Sequence, residues 1–241
     1  MAGRTVPSVL KATNRIFCGK KFLCLDDQSA PDADVAAIEK RICNQIISDR
    51  CSFVCGVDAF AGVGVSAFLW ARCSRTLFLV ERRQNALTLL RKNLRNIRQP
   101  LCTIKIVHAT AQEFLEAAVR AKLSFDFLDL DPFGDCLDLL PVASALVQSG
   151  VICFTTGEIY QVYRGLNRRG SKPTPQSYRG KGAREWVRKE LLPEITAGLP
   201  GSQIVHFYAY PTSVRVIVRV GCYPIYPHWF EGRPRFLSWL A

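Results

Sequence analysis

An α/β fold with a doubly wound, mostly parallel sheet is predicted for this chain on two observations. From about Cys51 onward, short apolar runs alternate five times with helix-patterned segments, as βαβ units do. The alternation then stops, and "QIVHFYAY" and "SVRVIVRVG" follow at period two around "PT", which predicts a closing antiparallel hairpin.

The elements follow in order. "CSFVCGVDAF" reads as a first strand, and the glycine-containing turn "AGVGV" leads into a helix through "SAFLWARC". "TLFLVE" is a second strand ending in Glu81. In "RRQNALTLLRKNLRNIR", Leu87, Leu90, Leu94 and Ile97 form a helical stripe with basic residues opposite. "TIKIV" is a third strand and "AQEFLEAAVRAK" a third helix. "FDFLDL" is the fourth strand, "CLDLLPVASALVQ" is mostly helix despite Pro141, and "GVICFTT" is the fifth strand. A segment rich in Gly, Pro and Ser follows, then the helix "AREWVRKELLPEITAGL" and the hairpin. The aromatic tail "CYPIYPHWFEGRPRFLSWLA" is expected to pack over the sheet. Ahead of the first strand, "DADVAAIEKRICNQIISD" is helical and follows a short irregular or hairpin segment. The domain reading is therefore an N-terminal extension, residues 1–50, packed on a single domain, residues 51–241. That domain carries a basic insertion at about 158–184.

Hydrophobic residues make up 49% of the 241, enough for a sizeable core and too many for a disordered chain. No apolar run reaches the roughly 18 residues that a spanning helix needs, and the N-terminus lacks a signal-peptide apolar region. The chain is expected to be cytoplasmic, without a membrane partner. Its ten cysteines stand in apolar context and complete no zinc set, so they read as reduced core thiols and no metal is expected.

Charge is the most informative bulk property. Thirty-two basic residues against twenty acidic ones give +12. Between Arg164 and Lys189, nine basic residues face only Glu185, a net +8. A block of this kind suits a polyanion. Arg164, Arg168, Arg169, Lys172, Arg179, Lys181 and Arg184 are the candidate nucleic-acid contacts.

Ligands of doubly wound sheets bind beyond the carboxyl ends of the strands, at the topological switch point. Asp58, Phe60, Gly62 and Gly64 follow the first strand, where glycines permit a tight turn and close approach to a ligand. Glu81 ends the second strand, where an acid can hydrogen-bond both ribose hydroxyls, and Arg82 follows it. The pattern Asp-x-Phe-x-Gly-x-Gly starts with an acid, which suits a cofactor bearing positive ammonium and sulfonium groups and would repel a pyrophosphate. That favours S-adenosyl-L-methionine over a dinucleotide. The added hairpin also resembles the extra antiparallel strand of class I methyltransferases. "HATAQEF", with Thr110 and Ala111, sits where those enzymes hold adenine, and His108 reads as a strand-end residue.

The stretch "FDFLDLDPFG" ends the fourth strand in acids and a Pro-aromatic turn. It resembles the (Asp/Asn)-Pro-Pro-(aromatic) motif of methyltransferases acting on exocyclic amines. Such an amine is a poor nucleophile because its lone pair is delocalised into the ring. Acceptors aimed at its N–H bonds favour the pyramidal transition state. Asp131 is expected to accept one N–H and the Pro132 carbonyl the other, while Phe133 stacks on an extruded base. Gly134 lets the turn approach closely. Asp129 is expected to face the cofactor's methionine end, and Asp126 is read as structural.

"DLDPFG" (Asp129 to Gly134) is similar to the Asp-x-Asp-Pro-(Phe/Tyr)-Gly motif of tRNA guanine-N2 dimethyltransferases, and "GVICFTTGEIYQVYRG" resembles their segment after the fifth strand. The resemblance covers roughly residues 50–200. It implies a class I methyltransferase fold, a Rossmann-like sheet with a C-terminal antiparallel hairpin, S-adenosylmethionine as donor and methylation of guanine N2 in RNA. It gives Asp131, Pro132 and Phe133 the catalytic positions and Asp58, Gly62, Gly64 and Glu81 the cofactor positions. The chain is too short for the C-terminal domain with which that family grips tRNA, so the basic insertion or a protein partner is expected to supply part of the grip. Two other readings stay open: an amino-methyltransferase for adenine or cytosine in DNA or another RNA, and a non-catalytic nucleic-acid-binding subunit that keeps the fold.

Overall fold

A computed structural model of the chain describes residues 12–17, 20–25, 32–95, 101–132, 134–167, 173–210 and 212–231, with side chains from Lys40 onward except Lys181. Two strands, β1 (Ala12–Phe17) and β2 (Lys20–Leu25), pair antiparallel as a hairpin, and the helix α1 (Asp32–Arg50) follows. The main sheet then builds through β3 (Phe53–Asp58), α2 (Ala67–Cys73), β4 (Ser74–Val80), α3 (Gln84–Leu94), β5 (Thr103–Val107), α4 (Ala111–Arg120) and β6 (Phe127–Leu130). It continues through a 3₁₀ turn and α5 (Leu140–Leu146), β7 (Gly150–Thr156), α6 (Glu158–Arg164), the helical segment 183–198, and the strands β8 (Ser202–Ala209) and β9 (Val214–Val220).

The seven strands lie in the order β5-β4-β3-β6-β7-β9-β8. The pairs among the first five are parallel, and β9 runs antiparallel to both β7 and β8. The expected sheet and its closing hairpin are therefore present. The order reverses between β3 and β6, which are neighbours, and that is the switch point.

Two apolar clusters cover the two faces, as a sheet wound on both sides requires. One buries Leu115 of α4, Leu146 of α5, Ile159 of α6 and Trp186 against Leu128 and Phe154. The other buries Cys43 and Ile47 of α1, Trp70 of α2 and Leu87 of α3 against Phe53 and Phe127. The extension thus contributes α1 directly to the core. From the tail, Tyr223 stacks on Phe53 and Phe230 on His206.

Three local readings change. Pro141 is tolerated because it stands in the first turn of α5, where its missing N–H is not needed. The basic insertion opens with α6, which the glycine and proline content of the segment concealed. The predicted helix over 183–199 is not uniform: α7 (Ala183–Trp186) and α8 (Leu192–Gly198) flank a π turn at Val187–Leu191. Pro193 cannot donate to the preceding turn and its ring crowds the carbonyl four residues back, so the backbone widens just before it. Ile97 of the expected stripe lies outside the described residues.

Candidate active site

The carboxyl ends of β3 and β6 bring three acids together at the switch point. Asp58 pairs in register with Asp129, and the Ala59 N–H donates to the Asp129 carbonyl at 3.0 Å. Two residues on, Asp131 leaves the sheet. On the far side of β7, Arg215 of β9 stands opposite Thr155. The lateral order of the strands therefore places Arg215 over the end of β6.

Arg215 is fully buried, and its Nη2 donates to Asp129 Oδ1 at 3.0 Å and to Asn44 Oδ1 of α1 at 2.9 Å. Its Nη1 donates to Thr155 Oγ1 at 3.0 Å and lies 3.7 Å from Asp131 Oδ1. The Trp70 indole Nε1 donates to Asp129 Oδ2 at 3.0 Å. Both oxygens of Asp129 are thus taken within the protein and its side chain is only 1% exposed. This corrects the expectation that Asp129 faces the cofactor: its carboxylate anchors Arg215 and Trp70.

Asp131 is the acid that reaches the surface. Its side chain is 19% exposed, and Lys40 Nζ of α1 donates to its Oδ2 at 2.5 Å. Burial alone would raise its pKa, but Lys40 and then Arg215 overcome burial and hold it down at about 2. Asp58 behaves oppositely. Burial pushes it well above the ordinary carboxylate range, the charges of Asp129 and Asp131 add to the rise, and the Phe60 amide and Lys40 only partly oppose it. Burial also raises Asp129, which the Arg215 charge opposes, so of the three acids only Asp131 is held below its ordinary value.

The turn after β3 forms a cradle. Gly62 and Gly64 have φ of +54° and +90°, a region that L side chains rarely adopt. A Cβ on Gly64 would come within 2.6 Å of Leu90 Cδ1, whereas one on Gly62 would meet nothing nearer than the Phe60 carbonyl at 3.9 Å. The turn therefore packs on α3 behind and is open in front. Phe60 is partly buried beside it. Glu81, at the end of β4, is buried, and its Oε1 accepts the Arg83 N–H at 2.7 Å. Among the described residues nothing hydrogen-bonds its second oxygen. Arg82 is exposed, and its carbonyl lies 2.9 Å from His108 Nε2. Thr110 N-caps α4 in a reciprocal capping box with Glu113, and Ala111 is buried behind it. This cradle, open in front of Gly62 and with buried acids at both strand ends, suits a ligand bearing positive charge.

The rest of the turn after β6 is held tightly. The Gly134 carbonyl accepts the Gly157 N–H at 2.6 Å. Asp135 Oδ1 accepts the Cys136 and Leu137 N–H groups and the Thr156 hydroxyl. Pro132 is partly exposed beside Asp131, and Phe133 lies outside the described residues. Asp126 is structural: its oxygens accept the Val54 and Cys55 N–H groups at 2.7 and 2.9 Å.

Of the candidate nucleic-acid contacts, Arg164 and Arg179 are exposed and Arg184 is half-buried. Arg168, Arg169, Lys172 and the Lys181 side chain lie outside the described residues. Arg164 also sits over the ring of the exposed Tyr160 at 5.9 Å. Among the described residues no group of acidic, His and Cys side chains could hold a metal ion, and no helix is long and apolar enough to cross a membrane. Sequence reasoning missed Lys40, Asn44, Trp70, Thr155 and Arg215. A signal existed only for Arg215, which interrupts the apolar strand "VRVIVRV" on the same face as Ile217.

No protein-family model matches the chain, and no curated protein sequence matches it. Solved structures do. The chain is similar to Trm1 from Pyrococcus horikoshii in complex with S-adenosyl-L-methionine, at a TM-score of 0.69 and 16% identity, over 91% of this chain and 63% of that one. It is similar to M. jannaschii tRNA m1G37 methyltransferase at 0.55 and 14% identity, over 87% of this chain and 57% of that one. For M. jannaschii TYW2 in complex with AdoMet the values are 0.55 and 14%, over 90% and 88%. The chain thus spans less than two thirds of the first two. What such low identities share is architecture: this chain is built on the seven-stranded, doubly wound sheet of S-adenosylmethionine-dependent methyltransferases.

Proposed function

We propose that the protein transfers a methyl group from S-adenosyl-L-methionine to an exocyclic amine of a nucleic-acid base, with guanine N2 in RNA the preferred target and tRNA the leading pool. The observation that carries this reading is Asp131. It is an ionised, partly exposed carboxylate at the tip of β6, across the switch point from an open glycine cradle. It can accept a hydrogen bond and is a poor proton acceptor at neutral pH. That combination suits an amine whose N–H bonds must be oriented and whose proton becomes acidic only as transfer proceeds.

Asp58, Phe60, Gly62, Gly64, Glu81, Arg82, Thr110 and Ala111 would hold the cofactor, which supplies an electrophilic methyl on a sulfonium. Glu81 has an oxygen to spare for ribose hydroxyls, and positive charge arriving beside Asp58 would oppose the burial that raises its pKa. Asp131 and the Pro132 carbonyl orient the two N–H bonds of the acceptor, and Phe133 stacks on its ring. Catalysis on this reading is positioning and electrostatics. Arg215 and Asn44 hold Asp131 in place through Asp129 and α1. Arg164, Tyr160 and Arg179 on the basic insertion support a nucleic-acid substrate, since cation and ring together suit phosphate and base. Relatives of the fold that act on tRNA agree in direction with this substrate.

The test is to incubate the protein with labelled donor and separate pools of tRNA, rRNA and DNA, then digest to nucleosides. N2-methylguanosine from an RNA pool is the expected product. Label confined to another atom, or none in any pool, would overturn the assignment.

A further inference from the structure

Lys40 lies 91 positions from Asp131 in sequence, yet its ammonium bonds directly to Oδ2. This ion pair differs in kind from its neighbour. Arg215 is fully buried and tied to Asp129, Asn44 and Thr155, so it has nowhere else to go. Lys40 is 29% exposed at the end of a flexible stem, and among the described residues Asp131 is its one hydrogen-bond partner. An ammonium on a flexible, partly exposed stem can return to water, which the buried Arg215 guanidinium cannot.

The chemistry of the contact is also specific. A nitrogen pointing N–H bonds at Oδ2 is what an acceptor amine must present at the same oxygen. The ammonium lacks a lone pair and cannot take a methyl group while it is protonated. Left in place, it would put positive charge beside a nitrogen that is itself becoming positive, which opposes the transition state.

We infer that Lys40 is a displaceable occupant of the acceptor seat on Asp131, which the incoming amine pushes aside and whose freed ammonium then pairs with a phosphate of the same substrate. The inference rests on the acceptor reading of Asp131 given above. Its consequence is selection: an uncharged nucleoside has to break the ion pair with nothing to replace it, whereas a nucleotide brings its own anion. Lys40 then discriminates between acceptors without touching the base that is methylated.

Titration of the full chain with guanosine and with guanosine 3′-monophosphate, followed by calorimetry or chemical-shift changes, tests this without turnover. Lys40→Met is expected to bind guanosine up to ~5-fold more tightly than the parent, the worth of a partly exposed ion pair, and to lose its preference for the nucleotide. Lys40→Arg should keep the parental preference, and Lys40→Gln repeats the test with a polar side chain, with melting curves confirming that each variant is folded. Guanosine binding that is unchanged or weaker in both neutral variants would overturn the displacement while leaving the acceptor reading intact. Guanosine that binds neither parent nor variants would remove the acceptor seat itself, and the inference with it.

Discussion

The cluster at the strand tips and the basic insertion carry charge in opposite ways. At the tips, Asp129 and Arg215 are buried, each hydrogen bond is directed, and three strands and two helices fix the geometry. In the insertion, Arg164 and Arg179 are exposed, and just after it Lys189 pairs with Glu185 one helical turn away. The first arrangement suits orientation of a small group to within a fraction of an ångström. The second suits capture of a long polyanion, for which position matters little and number of charges matters most. Lys40 stands between them, held at the site but mobile enough to leave it.

The sharpest way to break this contrast is Arg215→Met. It strands the buried Asp129 carboxylate, and the loss should be about 3–5 kcal/mol in urea unfolding, the usual cost of removing one partner of a buried ion pair. Adding Asp129→Asn should recover part of it; a loss below about 1 kcal/mol would mean that the cluster is not structural. Next comes Asp131→Ala, which should reduce methyl transfer on the order of 10²–10³-fold, as loss of one preorganised hydrogen-bonding group does. Calorimetry should show cofactor affinity nearly unchanged, and an equal loss of both would make Asp131 a binding residue.

The pH dependence separates Asp131 from Asp58. Asp131 is held near 2 in the folded chain against an ordinary value near 3.8. Its contribution is thus present above about pH 4 and lost as pH falls toward 2. Asp131→Asn should flatten that part of the acid unfolding limb. Asp58 is raised, so the sign reverses: stability declines as pH climbs above about 4, because the unfolded chain releases a proton that the folded one retains. Asp58→Asn should therefore melt higher than the parent at about pH 7 and equal to it at about pH 3, while weakening cofactor binding. A melting difference that does not change with pH would contradict this assignment. The smallest effect is expected in the insertion. Replacing Arg164 and Arg179 by Ala should reduce the slope of log affinity against log salt by about 0.7 for each single-strand phosphate that is no longer neutralised. An unchanged slope in a filter-binding titration would place the polyanion elsewhere.

Much of this molecule was legible in one dimension. Each main-sheet strand and most helices follow from apolar periodicity, because an element's burial pattern is written in its own residues. Chain order also put Asp58, Glu81 and Asp131 at strand ends, while the strand order that makes β3 and β6 neighbours came from the structure. The role of Asp126 could be read as structural because it precedes the strand end. The insertion's helix α6 escaped because it is only seven residues long between Gly157 and Gly165, and the π turn escaped because helical periodicity does not register one extra residue.

What the sequence by itself determined is therefore the fold class and the acids that stand at the strand ends, since these depend on short-range pattern. The tertiary structure alone decided what those acids do. Lys40 and Asn44 come from a helix before the sheet, Trp70 from the first crossover, and Arg215 from the last strand, and only lateral packing brings them to Asp129 and Asp131. Ionisation depends on burial and on charges a few ångströms away, whatever their distance along the chain. That is why burial raises Asp58 and Asp129 while two cations hold the partly exposed Asp131 low.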